Sequence, residues 1–301
     1  MGYIFDALNR AGDKITSKTP SPAANDAASD QADNLQINAA HPAMEASDDQ
    51  HIQFTVAARQ AGEKPVKVDD RLVILTEPAT VMAEEYRAIR TGILARWEHK
   101  RHLTHTITSA TPQEGKTISS LNLGLCFAEL HNRSTIVLEC DLRLPQFEKL
   151  LNMPSQPGMV DYLAQDAKLE NMIYRPPGSN LHVIAAGQRA GNETVQLLSS
   201  QKMVNLLDRL RKHYDHIIID TPPVVELADA GILGAMSDDV LLVARMAQTP
   251  RTLIEQAIRT LQSYNAPVAG LIATDQARPR RRAYYHRYGY HYPYAQYSQA
   301  A

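Results

Sequence analysis

Short apolar segments alternate with amphipathic helical segments along residues 71–277, and this alternation constrains the fold of the 301-residue chain more than any other feature. A strand that is apolar on both sides must be covered on both sides, as in a parallel sheet flanked by helices. We therefore predict an α/β fold with a mostly parallel central sheet and helices on both faces. Strands are predicted at 105–109, 135–139, 216–220, 239–244 and 268–273, and helices at 80–100, 117–130, 200–213 and 251–263.

Two flanking regions lack such a pattern. Residues 1–10 could form two helical turns, but the rest of 1–70 is rich in Ser, Ala, Asp, Asn and Pro with no sustained period. Such a composition cannot bury enough surface to offset its ordering entropy. We predict a short N-terminal segment with a flexible linker at 1–70, one folded domain at 71–277, and a disordered basic tail at 278–301.

Composition excludes several classes of protein. The net charge of −2 gives no general attraction to nucleic acid or an anionic membrane. No apolar run approaches the roughly 18–20 residues needed to span a bilayer, and Asp6 interrupts any signal peptide. Cys126 and Cys140 lack metal-ligand spacing and suit a core in a reducing compartment. We expect a cytoplasmic protein that reaches the inner face of the membrane only through a partner.

A loop at residues 110–117 follows a predicted strand and opens a predicted helix. This order is what a Walker A phosphate-binding loop requires, although Ala110 stands in place of its first glycine. Gly115 would let the backbone approach the phosphates, Lys116 would reach the β- and γ-phosphates, and Thr117 would bind Mg²⁺. The chain is therefore predicted to be a P-loop NTPase. The predicted nucleotide-binding residues are Ala110, Gln113, Glu114, Gly115, Lys116, Thr117 and Ile118.

Three carboxylates follow two of the predicted strands. Glu139 and Asp141 close the second strand, and Asp220 ends the third. Because carboxyl ends of parallel strands meet at one edge of a sheet, we expect these groups near the loop. Each alone is typical of a helix cap or a solvated turn, but together they indicate a metal site. Thr117, Asp141 and Asp220 are the predicted Mg²⁺ ligands.

The segments 84–91, 108–117, 139–145 and 214–223 resemble those of the bacterial tyrosine kinases of capsule and exopolysaccharide synthesis. That family is itself similar to the MinD and ParA branch of P-loop proteins. The resemblance implies an ATP-dependent protein-tyrosine kinase that uses MgATP. It assigns catalytic roles to Lys116, Asp141, Glu139 and Asp220.

The resemblance also implies self-association. It places Glu84, Arg87 and Arg90 at the interface of a homo-oligomer, possibly a ring. A solvated helix face with charge pairs three residues apart would produce the same pattern. The family further implies a separate membrane protein of polysaccharide export as activator, and a protein-tyrosine phosphatase that reverses the modification.

The C-terminal tail contains seven of the thirteen tyrosines and five arginines. Alone, this composition suggests binding to single-stranded nucleic acid or a membrane surface. Attached to an ATP site, it resembles the tyrosine cluster that the family phosphorylates on itself, and we then expect no nucleic-acid partner. The predicted autophosphorylation sites are Tyr284, Tyr285, Tyr288, Tyr290, Tyr292, Tyr294 and Tyr297.

Three residues depart from the family pattern. Glu139 replaces an aspartate, Gln113 replaces a loop glycine, and Thr274 stands where an asparagine is common. Two alternatives therefore stay open: an ATPase switch of the MinD or ParA type, and a degenerate nucleotide-binding scaffold without kinase activity. The first is weakened because Thr111 occupies the position of the extra lysine in partitioning ATPases.

Overall fold

The computed structural model describes residues 67–275, which form one seven-stranded sheet with helices packed against it. The strands are β1 Leu103–Ser109, β2 Thr135–Glu139, β3 Ile173–Tyr174, β4 His182–Ile184, β5 His216–Asp220, β6 Asp239–Arg245 and β7 Val268–Thr274. The helices are α1 Val73–Thr76, α2 Val81–Arg96, α3 Lys116–Ala128, α4 Phe147–Leu151, α5 Met159–Gln165, α6 Thr194–Leu198, α7 Gln201–Arg211, α8 Asp229–Ala235 and α9 Arg251–Ser263, with a 3₁₀ turn at Leu169–Asn171.

The strand order is β3-β4-β2-β5-β1-β6-β7, and every neighbouring pair is parallel except β3 with β4. Alternate residues of each central strand enter different cores. In β5, Ile218 belongs to the core that includes α3, whereas Ile217 and Ile219 belong to the core that includes α7. Both faces of the sheet are therefore buried, and the predicted α/β fold is confirmed.

Each predicted strand and helix occurs in the structure within a few residues of its expected bounds. Two helices begin where a hydroxyl caps their first turn. Thr80 accepts a hydrogen bond from the amide of Ala83 before α2, and Ser200 accepts one from Met203 before α7. The region 144–199, which showed no pattern, contains the short strands β3 and β4 and three short helices.

Residues that precede the predicted domain start at 71 also pack against the fold. The Asp69 amide donates to the Leu150 carbonyl at 2.9 Å, and Val68 packs against the hydrophobic core. Cys126 and Cys140 are buried and unpaired, as expected for core residues. None of the helices described between 67 and 275 is long and apolar enough to cross a bilayer. The tyrosine-rich tail and nearly all of the predicted linker lie outside the described residues.

Gly158 lies where two backbone segments meet. A Cβ built there would lie 2.2 Å from the Gly187 nitrogen and 2.4 Å from the Ala185 oxygen. Because backbone cannot move aside like a flexible side chain, we expect Gly158→Ala to lower the free energy of unfolding by about 1–3 kcal/mol. Gly92→Ala is the matched control, since Gly92 is an exposed helical glycine with nothing within 4 Å. It should be neutral or stabilising by about 0.5–1 kcal/mol, and equal denaturation midpoints for both variants would contradict the prediction.

Candidate active site

The loop between β1 and α3 has two residues in the left-handed region of backbone space. Gly115 has φ 94° and precedes α3, and Gln113 has φ 64°. The structure therefore keeps, at Gln113, a conformation that favours glycine and costs other residues roughly 1–2 kcal/mol. Gln113 is the position at which the sequence departs from the family glycine. The strain shows that surrounding contacts, rather than local preference, fix the loop.

Glu114 supplies most of these contacts. Its side chain is buried and accepts a hydrogen bond from the Thr111 amide at 3.0 Å and another from the Thr249 hydroxyl. Its carbonyl accepts from the Thr274 hydroxyl at 2.7 Å. Both carboxylate oxygens are therefore used to hold the loop, although the sequence suggested nucleotide contact for Glu114. Thr249 was missed because it lies 135 residues away along the chain.

Lys116 opens α3 and points to the end of β2. Its Nζ donates to Asp141 Oδ2 at 2.9 Å, and the Asp141 Oδ1 atom accepts from the Leu144 amide at 3.1 Å. Burial disfavours the ammonium charge, but the carboxylates of Asp220 and Asp141 outweigh it and raise the pKa of Lys116. The structure therefore brings together the predicted lysine and two predicted carboxylates, with the lysine fully charged.

Asp220 ends β5 and is completely buried. One carboxylate oxygen accepts from the Ser120 hydroxyl at 2.9 Å, and the other has no hydrogen-bond partner among the described residues. Burial raises the pKa of Asp220 to about 6, opposed by Lys116, Ser120 and the hydroxyl of Thr117. A buried carboxylate oxygen without a partner is costly unless a cation or donor reaches it.

The polar groups around Asp220 suit Mg²⁺ better than a metal whose ligands all come from protein side chains. Within residues 67–275 no group of three or more His, Cys, Asp or Glu side chains could hold a metal ion. Mg²⁺ is typically bound by one or two carboxylates, with water and phosphate oxygens as its other ligands. The Thr117 hydroxyl and the free oxygen of Asp220 are the groups that fit such an ion. The third predicted ligand, Asp141, uses both of its oxygens to accept from Lys116 and the Leu144 amide.

Glu139 is buried at the end of β2 and binds only backbone. One oxygen accepts from the amides of Gln146 and Phe147, and the other accepts from the Ala186 amide at 2.9 Å. Burial raises the pKa of Glu139 to about 7, and the three amides oppose that shift. Its oxygens therefore join β2 to the start of α4 and the segment after β4. These contacts hold together the two ends of the turn that carries Asp141.

Arg143 and Asp229 form a further ion pair close to the site. The Arg143 Nε atom lies 3.4 Å from the Asp229 carboxylate, which is buried at the start of α8. The other oxygen of Asp229 has no hydrogen-bond partner among the described residues. Asp229 was not identified from the sequence, because it lies nine residues beyond Asp220 in a segment with no motif.

The predicted interface residues are paired within the chain. Arg87 donates to both oxygens of Glu129, at 3.0 and 2.6 Å, and also to Glu84 at 2.6 Å. Arg90 donates to Glu129 and to the Cys126 carbonyl. Glu129 lies at the end of α3, so the two arginines fasten α2 to the helix that follows the loop. The carboxylate of Glu84 is half exposed and is the member of the set best placed to meet a second chain.

A model of the AAA domain family matches residues 113–268. The chain is 32% identical over 198 residues to the tyrosine-protein kinase ptk of Acinetobacter johnsonii, which covers 66% of this chain and 27% of that protein. It is 28% identical to the tyrosine-protein kinase YwqD of Bacillus subtilis strain 168, across 72% of this chain and 91% of that one.

The fold is similar to the kinase domain of the Escherichia coli tyrosine kinase ETK, with a TM-score of 0.67 and 26% identity. That match covers 73% of this chain and 84% of the other. The resemblance found in the sequence is thus confirmed. The chain spans little more than a quarter of the length of the Acinetobacter relative, whereas it spans nearly all of the Bacillus relative.

Proposed function

Because the chain belongs to the AAA domain family of P-loop ATPases, we propose that it is an ATP-dependent protein-tyrosine autokinase that regulates exopolysaccharide or capsule synthesis and export. The observation that carries this proposal is the Lys116–Asp141 contact of 2.9 Å at the loop, beside the buried carboxylate of Asp220. The proposed substrates are the tail tyrosines Tyr284, Tyr285, Tyr288, Tyr290, Tyr292, Tyr294 and Tyr297.

The proposed mechanism depends on positioning and charge. Mg²⁺, when held by Thr117 and Asp220, would neutralise charge that develops on the transferred phosphoryl group. Lys116 donates to Asp141 in the structure, and a phosphate oxygen would compete with Asp141 for that ammonium. The Asp141 oxygen that loses Lys116 can then accept the proton of a tyrosine phenol, whose ordinary pKa is about 10. Asp141 is therefore the proposed base, and Lys116 the proposed phosphate ligand.

The last described strand, which precedes the tail in the chain, ends beside the loop. Thr274, the last residue of β7, donates its hydroxyl to the Glu114 carbonyl, and its side chain lies within 4 Å of the position of a Cβ on Gly115. Tyr284 follows Asp275 by nine residues. Each residue spans at most ~3.6 Å, so the first tyrosine lies within about 30 Å of Asp275 along the chain. A tail tethered there can reach the loop of its own chain or of an adjacent copy.

The partners follow from the same proposal. The chain would form a homo-oligomer through the α2 face that carries Glu84. A membrane protein of the polysaccharide export system would bring it to the inner face of the membrane and activate it. A protein-tyrosine phosphatase would restore the tail to its unmodified state. Each phosphate adds about −1.5 to −2 charges, so several would reverse the sign of the basic tail.

Intact mass spectrometry after incubation with MgATP tests the proposal. We expect a ladder of phosphate additions on the full chain, and peptide mapping should place them on tyrosines after residue 283. A chain that ends at Asp275 is the control and should gain no such ladder while still binding nucleotide. Nucleotide hydrolysis without any phosphate on protein would instead indicate an ATPase switch, and no nucleotide binding would indicate a scaffold.

Glu84→Ala tests the interface. Glu84 is half exposed and its loss leaves the Arg87–Glu129 pair in place, so the fold should keep its melting temperature. If α2 mediates self-association, light scattering should show a lower mass for unphosphorylated Glu84→Ala than for the wild type. Glu255→Ala is the matched control, because Glu255 also accepts from one arginine, Arg251, on a distant helix. An equal mass for both variants would leave Glu84 as a solvated residue.

A further inference from the structure

A pocket of about 400 Å³ lies near the amino ends of the strands, whereas the phosphate loop lies at their carboxyl ends. It is lined by the segment before β1 and the segment before β2, so it faces the amino ends of these strands. β1 has seven residues, which separates the pocket from the loop by roughly 20 Å. The pocket is therefore distinct from the candidate active site. Its lining residues are Glu98, His99, Lys100, Arg101, Asn132 and Arg133.

The lining has three cationic side chains and one acidic side chain, Glu98, and Arg133 is its most available positive charge. Lys100 pairs with Asp238, and Arg101 pairs with Asp215. In the part of the chain that the structure describes, no carboxylate pairs with Arg133, whose NH1 instead lies 3.4 Å from His216 Nε2. Arg133 is half-buried, and its guanidinium forms no ion pair with an acidic side chain among the described residues.

A buried hydrogen-bonded chain holds Arg133 in this position. His216 Nδ1 lies 3.4 Å from His105 Nε2, and His105 Nδ1 lies 2.8 Å from Asp239. The indole of Trp97 donates to the other oxygen of Asp239 at 2.7 Å. Burial lowers the pKa of His216 to about 3, so His216 is neutral at pH 7 and its Nε2 can accept from Arg133. Arg133 is thus oriented by a neutral group that leaves its charge for a ligand.

We propose that this pocket binds a phosphate monoester, and specifically a phosphotyrosine of the chain's own tail or of a second copy's tail. A planar guanidinium matches phosphate oxygens, and the volume suits a phenyl ring that carries a phosphate. The specific occupant rests on the proposed kinase function. The unpaired charge of Arg133 would repel the unmodified tail, which has five arginines, whereas a phosphorylated tail would be retained at high effective concentration. The pocket would therefore bind the phosphorylated tail in preference to the unmodified tail.

Binding of a synthetic peptide tests this proposal without relying on kinase activity. The peptide copies residues 281–292 with phosphate on Tyr284 and Tyr285, and its fluorescence anisotropy is followed as protein is added. The protein is the full chain with Lys116→Met, so that its own tail carries no phosphate. We expect the phosphopeptide to bind at least tenfold more tightly than the unphosphorylated peptide. Failure of autophosphorylation in the mass experiment would leave this measurement valid.

Variants of the pocket locate the binding. Arg133→Gln should weaken the phosphopeptide at least tenfold, and Lys100→Gln provides a second reading if Arg133→Gln fails to melt cooperatively. Arg133→Lys should keep part of the affinity, because it retains charge without the planar fork. Arg259→Gln, an exposed arginine on α9, is the matched control and should bind as the parent does.

Three results would overturn the proposal. The first is equal phosphopeptide affinity in the parent and Arg133→Gln, which would place binding elsewhere, such as the active site. The second is Arg133-dependent binding to vesicles of phosphatidic acid and phosphatidylcholine with no binding of the phosphopeptide. The third is displacement of bound phosphopeptide by equimolar inorganic phosphate, which would show that the pocket recognises only the free anion.

Discussion

Lys116→Met should abolish phosphotyrosine on the chain, with a fall of at least about a hundredfold in the rate of phosphate incorporation. Lys116 is the cation at the loop that contacts Asp141, and methionine fills most of the same space but cannot bind a phosphate oxygen. Loss of one preorganised charge at the site of phosphoryl transfer typically costs about 10²–10³ in rate. Labelled ATP and anti-phosphotyrosine detection measure the effect.

The control for this variant is Lys202→Met, because Lys202 pairs with Asp166 far from the loop. It should incorporate phosphate at the wild-type rate. Thermal melting must accompany both variants, since removal of Lys116 leaves the carboxylates of Asp141 and Asp220 without their shared cation. A folded Lys116→Met protein that incorporates phosphate as fast as the wild type would refute the site.

Asp141→Asn should lower the catalytic rate, whereas Glu139→Gln should lower the stability of the fold. Asparagine in place of Asp141 would keep the size of the side chain but could not accept a proton, so we expect the rate to fall about 10²–10⁴-fold with little change in melting temperature. Glutamine in place of Glu139 would face an NH₂ toward one set of backbone amides, where a buried acceptor is needed. We expect it to lower the free energy of unfolding by about 1–3 kcal/mol.

The two readouts decide between the roles of these carboxylates. Initial rates of phosphate incorporation per folded molecule should fall for Asp141→Asn and stay within a few fold of wild type for Glu139→Gln. Denaturant titrations should show a lower free energy of unfolding for Glu139→Gln and little change for Asp141→Asn. If Glu139→Gln melted normally and lost activity, then Glu139, not Asp141, would be the proton acceptor.

The core of the fold could be predicted from sequence because β2 and β5 contain the unbroken apolar runs 136–138 and 217–219. Thr135–Glu139 and His216–Asp220 have the same bounds in the structure as in the prediction, since both strands are buried on two faces. The approach of Lys116 to Asp141 and Asp220 also followed, because carboxyl ends of neighbouring parallel strands meet at one edge.

The details that depend on distant contacts could not be predicted. β3 and β4 have two and three residues, too few for a period, and they exist because β4 pairs with β2. One partner of Arg87, Glu129, is 42 residues away, and one partner of the Glu114 carboxylate, Thr249, is 135 residues away. The sequence shows which residues carry a charge, but only the packing shows which of these charges already pair within the chain.

The outermost strand of the sheet favours aggregation, and the charge of the tail opposes it. β7 lies outermost, pairs only with β6 among the described strands, and has no charged residue along Val268–Thr274. An uncharged edge of this length is a template for pairing with a second molecule. The arginines from Arg278 onward follow it in the sequence, and their mutual repulsion would oppose such pairing. Chains cut at Asp275 lose this repulsion and therefore need dilute, low-salt handling to stay dispersed, whereas a heavily phosphorylated tail would repel through its negative charge.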